Sequence, residues 1–254
     1  MGRYHTGTFP AVKPPRKVYM DVLRVIATVF VICVHTVALA KTTAAPGTLL
    51  FRVLEVFNYT FLSCNLFFVM ISGALLLPVK GERCRDFFAR RFIRVFIPLV
   101  VYYNLYVCAK EGIGRLAPSQ WGLMLQRFFI GPPVEAPHLW LVYVIIWLYV
   151  LTPFLQYLVQ NIPDPVMNGV MLVIFLLNAY VTYVPLLGVT PPAALSGIVN
   201  SYVGVFLLGY YLANRAGRRA ENFFLAAGLV SYLITCYVIL FHGMTTIFTT
   251  MLLR

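Results

Sequence analysis

The chain has 254 residues, of which 61% are hydrophobic and 11% charged, and its mean hydropathy is +0.83. Soluble domains average roughly 25% charged residues, so this composition excludes a soluble enzyme, and it equally excludes a disordered chain. The net charge of +12 fits a membrane protein with basic cytoplasmic loops, without a nucleic-acid partner.

Seven apolar runs are long enough to be transmembrane helices, which need about 20 apolar residues each. The runs are continuous rather than alternating, which favours a helix bundle over a β-barrel. They lie near residues 19–40, 57–78, 95–110, 138–160, 166–184, 198–214 and 223–242. Another run begins at Thr245 and stops at Arg254, so we expect an all-α bundle of seven spans and a partial eighth.

Basic residues are concentrated on one side of these spans. Fourteen of the 20 Lys and Arg residues precede the first span, flank its start, or follow the second and sixth spans. Such segments stay in the cytoplasm, so we expect a cytoplasmic N-terminus. Residues 1–18 then form a flexible basic cytoplasmic arm, and residues 19–254 form the membrane domain.

Two further patterns bear on this organisation. Ala38, Leu39 and Ala40 resemble a signal-peptidase site, but the charges of Asp21 and Arg24 and the later spans favour a retained first helix. Residues 121–130 are apolar with one arginine and predict a short helix along the outer interface. The five cysteines include no C-x-x-C pair, so neither a disulfide framework nor a metal site is expected.

The first span contains two ionisable residues, which are costly in lipid and therefore functional candidates. Arg24 and His35 are 11 residues apart, which places them on one helix face and about 16 Å apart along the axis. The His35 imidazole can take and return a proton near neutral pH. The alternatives are that Arg24 snorkels at the helix start and that His35 bonds a neighbouring helix.

Arg91 and Arg94 open the third span on one face, as an i, i+3 pair. Grouped arginines at a membrane rim suit a phosphate-bearing ligand, because the guanidinium binds phosphate through two hydrogen bonds. They are equally explained as a topology signal or as contacts to anionic lipid. In the second span, Asn65 and Ser72 are polar within a bulky run, a pattern also typical of close helix packing.

His138 falls at the exterior boundary of the fourth span and is followed by Trp140. Trp140 is also explained as a residue of the interfacial aromatic belt. His242 ends the seventh span without an evident partner, and a structural role is favoured for it.

Several short motifs follow one another in a fixed order. They are Asp21-x-x-Arg24 with His35, Phe67 to Gly73, Arg91-x-x-Arg94-x-x-x-Pro98, His138-Leu-Trp140 with Tyr149 and Pro153, and Gly204 to Tyr210. Together they resemble the acyltransferase-3 family of multipass membrane acyltransferases. The resemblance runs from about Tyr19 to the end of the chain.

Two features refine this resemblance. A family branch that acylates surface polysaccharides has a glutamate five residues after the tryptophan, where this chain has Ile145, so no catalytic glutamate is implied. The chain is more similar to the branch that includes the enterobacterial common antigen O-acetyltransferases. The family core resembles a ten-helix unit, so we expect the chain to be truncated at its C-terminus.

The resemblance implies that the protein transfers an acyl group, most often acetyl, from acyl-CoA to a hydroxyl of a surface or lipid-linked carbohydrate. It also implies a location in the bacterial plasma membrane and no permanently bound cofactor. It implies that Arg24, Arg91 and Arg94 hold the donor, and that His35, with Arg24, carries the catalysis as a base or acyl carrier. Polar lining is expected from Asn65, Ser72, His138 and Trp140. The alternatives are a transporter or flippase of a lipid-linked or anionic molecule, and an inactive truncated remnant.

Overall fold

A computed structural model describes residues 17–78, 84–112, 114, 117–132 and 136–242. Within these residues every regular element is helical, as the apolar runs predict. The predicted cytoplasmic arm, apart from its last two residues, and the partial eighth span from Thr245 lie outside the described residues.

The α-helices follow one another with short connections. They are α1 (Val18–Thr43), α2 (Leu49–Leu76), α3 (Cys84–Glu111), α4 (Trp121–Ile130), α5 (Trp140–Asn161), α6 (Asp164–Tyr183), α7 (Ala193–Asn200), α8 (Val203–Asn214) and α9 (Arg218–His242). Six of the helical segments in the described residues are long and apolar enough to cross a membrane. If the bent pair of α7 and α8 forms one further span, the number is seven. A multipass helical bundle is thereby confirmed, and the cytoplasmic N-terminus stays a prediction.

The second helix begins earlier than the predicted span, at Leu49 rather than near residue 57. The Thr48 side chain caps its first turn by accepting a hydrogen bond from the Phe51 backbone N–H at 3.2 Å. The charges in this extension find partners. Arg52 donates to the Leu240 carbonyl of α9 at 2.8 Å, and Glu55 pairs with Lys41 of α1 at 2.7 Å. Charged residues therefore do not mark the helix boundary here.

The third helix also begins before its predicted span, at Cys84 rather than near residue 95. Arg91 and Arg94 consequently lie inside a continuous helix, not at its rim. The helix contains Pro98, and α5 likewise contains Pro153, each of which removes one backbone N–H from the helical hydrogen bonds.

The short helix α4 confirms the amphipathic helix predicted at residues 121–130. Its Phe128 ring is buried edge-on against Phe96 and Tyr103 of α3, and the Tyr143 hydroxyl of α5 donates to the Phe128 carbonyl at 2.9 Å. Its Phe129 and Ile130 side chains are exposed. One face of α4 is thus fixed to α3 and α5 while the other stays open, as a helix on a lipid interface requires.

The core lies where α2 crosses α8. A Cβ atom on Gly73 would overlap the backbone of Phe206, and one on Gly209 would overlap the backbone of Met70. The helices run in the same direction, because Met70 lies beside Gly209 while the Ala74 carbonyl accepts from Asn214 at 3.2 Å. Successive spans cross the membrane in alternating directions, so the second and sixth spans of a seven-span bundle are expected to be parallel.

The bundle has two ends, which we name by α1. At the inner end, where α1 begins, Lys17 donates to the Ala213 carbonyl and Gln156 donates to the Leu76 carbonyl, at 3.3 and 2.7 Å. The outer end is where α1 finishes, beside the Lys41–Glu55 pair. Basic-residue counts predict that the inner end faces the cytoplasm.

We expect Gly209→Ala to lower the melting temperature of the detergent-solubilised protein, because the added methyl group overlaps the Met70 backbone, which cannot move aside without separating α2 from α8. Overpacking of this kind costs about 1–3 kcal/mol. Gly228→Ala in α9 is the matched control, since a Cβ there meets nothing within 4 Å. An equal loss of thermal stability in both variants would contradict the close approach of α2 and α8.

Candidate functional site

Two of the sequence-selected histidines meet near the outer end of the bundle. The His35 ring of α1 and the His138 ring, which lies in the turn before α5, have centroids 5.9 Å apart and planes at 86°. His35 is 17 residues into α1, about 26 Å from its start, so the pair lies in the outer half. Both residues remain exposed although their rings are in edge-to-face contact.

An aromatic side chain from another helix packs against this histidine pair. The Tyr106 ring of α3 lies edge-on against His138, with centroids 5.1 Å apart. Two residues after His138, Trp140 contacts Tyr202, with centroids 5.6 Å apart. Helices α1 and α3 and the turn before α5 therefore meet at one outer site, and Trp140 joins the start of α5 to the break between α7 and α8.

Tyr202 has an unusual backbone for a bulky residue. Its φ of 60° and ψ of 0° lie in the left-handed region, which costs about 1–2 kcal/mol for a residue with a Cβ atom. This conformation separates α7 from α8, whose axes differ by 45°. The Trp140 contact and a hydrogen bond from the Phe206 N–H to the Tyr202 carbonyl, 3.0 Å, hold the break in place.

Arg24 lies on the same helix as His35 but toward the inner end. Its guanidinium donates to Asp21 at 2.7 Å, and the two side chains are 45% and 31% exposed. An exposed ion pair of this kind stabilises a helix by only about 0.5 kcal/mol or less. Arg24 is therefore held loosely by its own helix and stays accessible to an anion.

The arginine pair lies in the inner half of α3. The Arg91 guanidinium stacks over the Phe87 ring at 4.2 Å and lies within electrostatic range of the Tyr149 hydroxyl of α5. Arg94, one turn further along, is exposed. Arg24 contacts Asp21 of α1, whereas Arg91 contacts Phe87 of α3 and lies near Tyr149 of α5, and the grouping of the three arginines around one ligand stays a prediction.

The polar residues of α2 make mostly local bonds. The Ser72 hydroxyl donates to the Phe68 carbonyl of its own helix at 2.8 Å, which satisfies it without a ligand. The Asn65 side-chain oxygen accepts from the Cys64 thiol at 3.6 Å. Asn65 and Ser72 are seven residues apart, so they share a helix face, and both are partly buried.

Sequence reasoning singled out both histidines without pairing them, and it missed Tyr106 and Tyr202. Tyr106 reaches the site only because α3 packs on α5, which no local pattern indicates. A weak signal for Tyr202 exists, since Asn200 and Ser201 interrupt an apolar run just before it. Among the described residues, no group of three or more His, Cys, Asp or Glu side chains is arranged to hold a metal ion.

Comparison with known proteins gives one informative match. No curated protein and no solved structure matches the chain. The model of the acyltransferase-3 family, described as an acyltransferase domain, matches residues 17–253. This range includes both histidines and all three arginines. Because the match extends over nearly the whole chain, the protein belongs to the acyltransferase-3 family.

Proposed function

We propose that this protein is an integral membrane enzyme that transfers an acyl group, acetyl above all, from acyl-CoA to a hydroxyl of a surface or lipid-linked carbohydrate at the bacterial plasma membrane. Its membership of an acyltransferase family, over residues 17–253, carries the reaction class. The His138-Leu-Trp140 motif, with Ile145 in place of a glutamate, resembles the branch that includes the enterobacterial common antigen O-acetyltransferases, and this resemblance supports the acetyl donor and the carbohydrate acceptor.

The separation of charges along the bundle supports the choice of donor. Arg91 and Arg94 lie about 10 and 15 Å from the start of α3, on the side predicted to face the cytoplasm, where acyl-CoA is made. Their guanidinium groups, with Arg24, would hold its phosphates. His35 lies about 16 Å further out than Arg24 on the same face of α1, a distance that an extended pantetheine arm spans.

The proposed reaction at the outer site consists of one acyl transfer and one proton transfer. The acceptor oxygen bonds to the acyl carbon, the carbon–sulfur bond breaks, and CoA leaves as a thiolate that takes up a proton. His35 would remove the hydroxyl proton as a general base, or carry the acyl group for an intermediate step. Either role needs an accessible imidazole, and the His35 side chain is exposed.

A transporter is the alternative favoured by the break between α7 and α8. Transporters of the discontinuous-helix type place broken helices at corresponding positions of two repeats. Within the described residues one bent pair is found, not two. Release of CoA thiol after acetyl-CoA is added to membranes distinguishes the two functions, because a transporter breaks no thioester bond.

We expect His35→Ala to abolish transfer of radiolabelled acetyl from acetyl-CoA in membranes of the cells that make the protein. Loss of a general base costs about 100-fold or more in rate. Thr36→Ala is the control, because the Thr36 hydroxyl donates only to the Ile32 carbonyl of its own helix, at 3.0 Å. Transfer by His35→Ala at the wild-type rate, in protein that elutes as a folded species, would exclude the catalytic role.

Replacing both Arg91 and Arg94 with lysine should raise the KM for acetyl-CoA by about 10-fold or more, because lysine keeps the charge but loses the paired hydrogen bonds to phosphate. The KM for acetyl-pantetheine, which lacks the nucleotide phosphates, should not change. Arg219→Lys, at the exposed start of α9, is the control. Equal effects on both donors would show that the arginines do not recognise phosphate.

A further inference from the structure

The arrangement of His35 and His138 is more specific than a chance contact of two polar residues. The rings come from different helices and lie at nearly right angles, with centroids 5.9 Å apart. An oxygen atom about 2.8 Å from one nitrogen of each ring, at a tetrahedral angle, requires ring centres about 6 Å apart. The two rings are therefore close enough for one oxygen atom beside them to be within reach of both imidazoles.

The surroundings hold one ring and leave one side of the pair exposed. His138 packs against Tyr106 on one side, while both histidine side chains stay exposed. The turn that carries His138 begins with Pro137 and is followed directly by α5, so the backbone on both sides of the ring is constrained. A ligand can therefore approach both rings from their exposed side.

We propose that the exposed side of the His35–His138 pair is the subsite for the acceptor hydroxyl, with one imidazole removing its proton and the other donating a hydrogen bond to its oxygen. This rests on the proposed acyltransferase function and makes His138 a second catalytic residue. The oxygen forms a bond to the acyl carbon, and the carbon–sulfur bond breaks. The proton taken by the imidazole then passes to the CoA thiolate, so both histidines return to their starting state.

The location of the subsite also defines the side from which the acceptor arrives. The histidine pair lies in the outer half of the bundle, whereas Arg91 and Arg94 lie in the inner half. Donor and acceptor therefore approach the reacting atoms from opposite ends. The acceptor is a hydroxyl presented at the outer face, as in a lipid-linked or surface glycan, and not a cytoplasmic sugar.

The test compares two substitutions of His138 that separate packing from hydrogen bonding. His138→Phe keeps a ring against Tyr106 but has no nitrogen, whereas His138→Gln keeps a hydrogen-bonding group and loses the ring. We expect His138→Phe to lower the rate of acetyl transfer about 100-fold and His138→Gln to lower it less, with the KM for acetyl-CoA unchanged in both. Tyr157→Phe, at an exposed tyrosine near the inner end of α5, is the control and should transfer at the wild-type rate.

The outcomes separate the failure of this inference from that of the proposed function. If the wild-type protein transfers acetyl and His138→Phe does so equally well, His138 serves packing and the subsite is wrong while the acyltransferase function stands. If the wild-type protein transfers no acetyl group, the proposed function fails and the acceptor subsite with it.

A second measurement tests the geometry without any acceptor. Two imidazoles that converge on one small site bind Zn²⁺ more tightly than either ring alone. We expect ZnCl₂ to raise the melting temperature of the wild-type protein in detergent, and to do so much less in His138→Phe. An equal rise in both proteins would show that the two rings do not share a site, and would overturn the subsite.

Discussion

The close approach of α2 and α8 sets the positions of the other helices. Both backbones meet at Gly73 and Gly209, where no side chain separates them, and α2 also contacts α1, α5 and α9. In lipid the hydrophobic effect does not drive helices together, so such small-residue contacts and interhelical hydrogen bonds determine how helices pack. The outer site depends on this crossing, because α2 positions α1 with His35 while α8 begins directly after Tyr202.

Much of the fold can be predicted from the sequence, because the length of an apolar run fixes whether it can cross a bilayer. Helix starts were less predictable. Arg52 and Glu55 are charged residues that argue against a helix within the bundle, yet each has a partner on another helix, and only tertiary packing reveals those partners. The candidate site shows the same limit. His35 and His138 are recognisable one at a time as polar residues in apolar runs, but their pairing depends on how α1 and α5 are placed by the helices between them.

The two kinds of functional side chain occupy different depths. The guanidinium groups of Arg24, Arg91 and Arg94 lie in the inner half, on the predicted cytoplasmic side, where long side chains reach the membrane surface. The imidazoles of His35 and His138 lie in the outer half, where both residues are exposed. The proposed transfer from a cytoplasmic donor to an external acceptor would use this order of groups along the bundle axis. It also needs no large conformational change if the flexible arm of the donor itself spans the distance.

Pro98 and Pro153 give the middle of the bundle a further property. A proline nitrogen carries no hydrogen, so it cannot donate to the carbonyl four residues earlier, which belongs to Arg94 in α3 and to Tyr149 in α5. These carbonyls lie at a similar depth in neighbouring antiparallel helices, as the electrostatic interaction of Arg91 with Tyr149 indicates. Within hydrocarbon, carbonyls released by a proline are satisfied by neighbouring helices, hydroxyl side chains, ordered water or a local change of helix type. The middle of the bundle therefore carries two main-chain oxygens whose hydrogen bonds do not come from the regular pattern of their own helices.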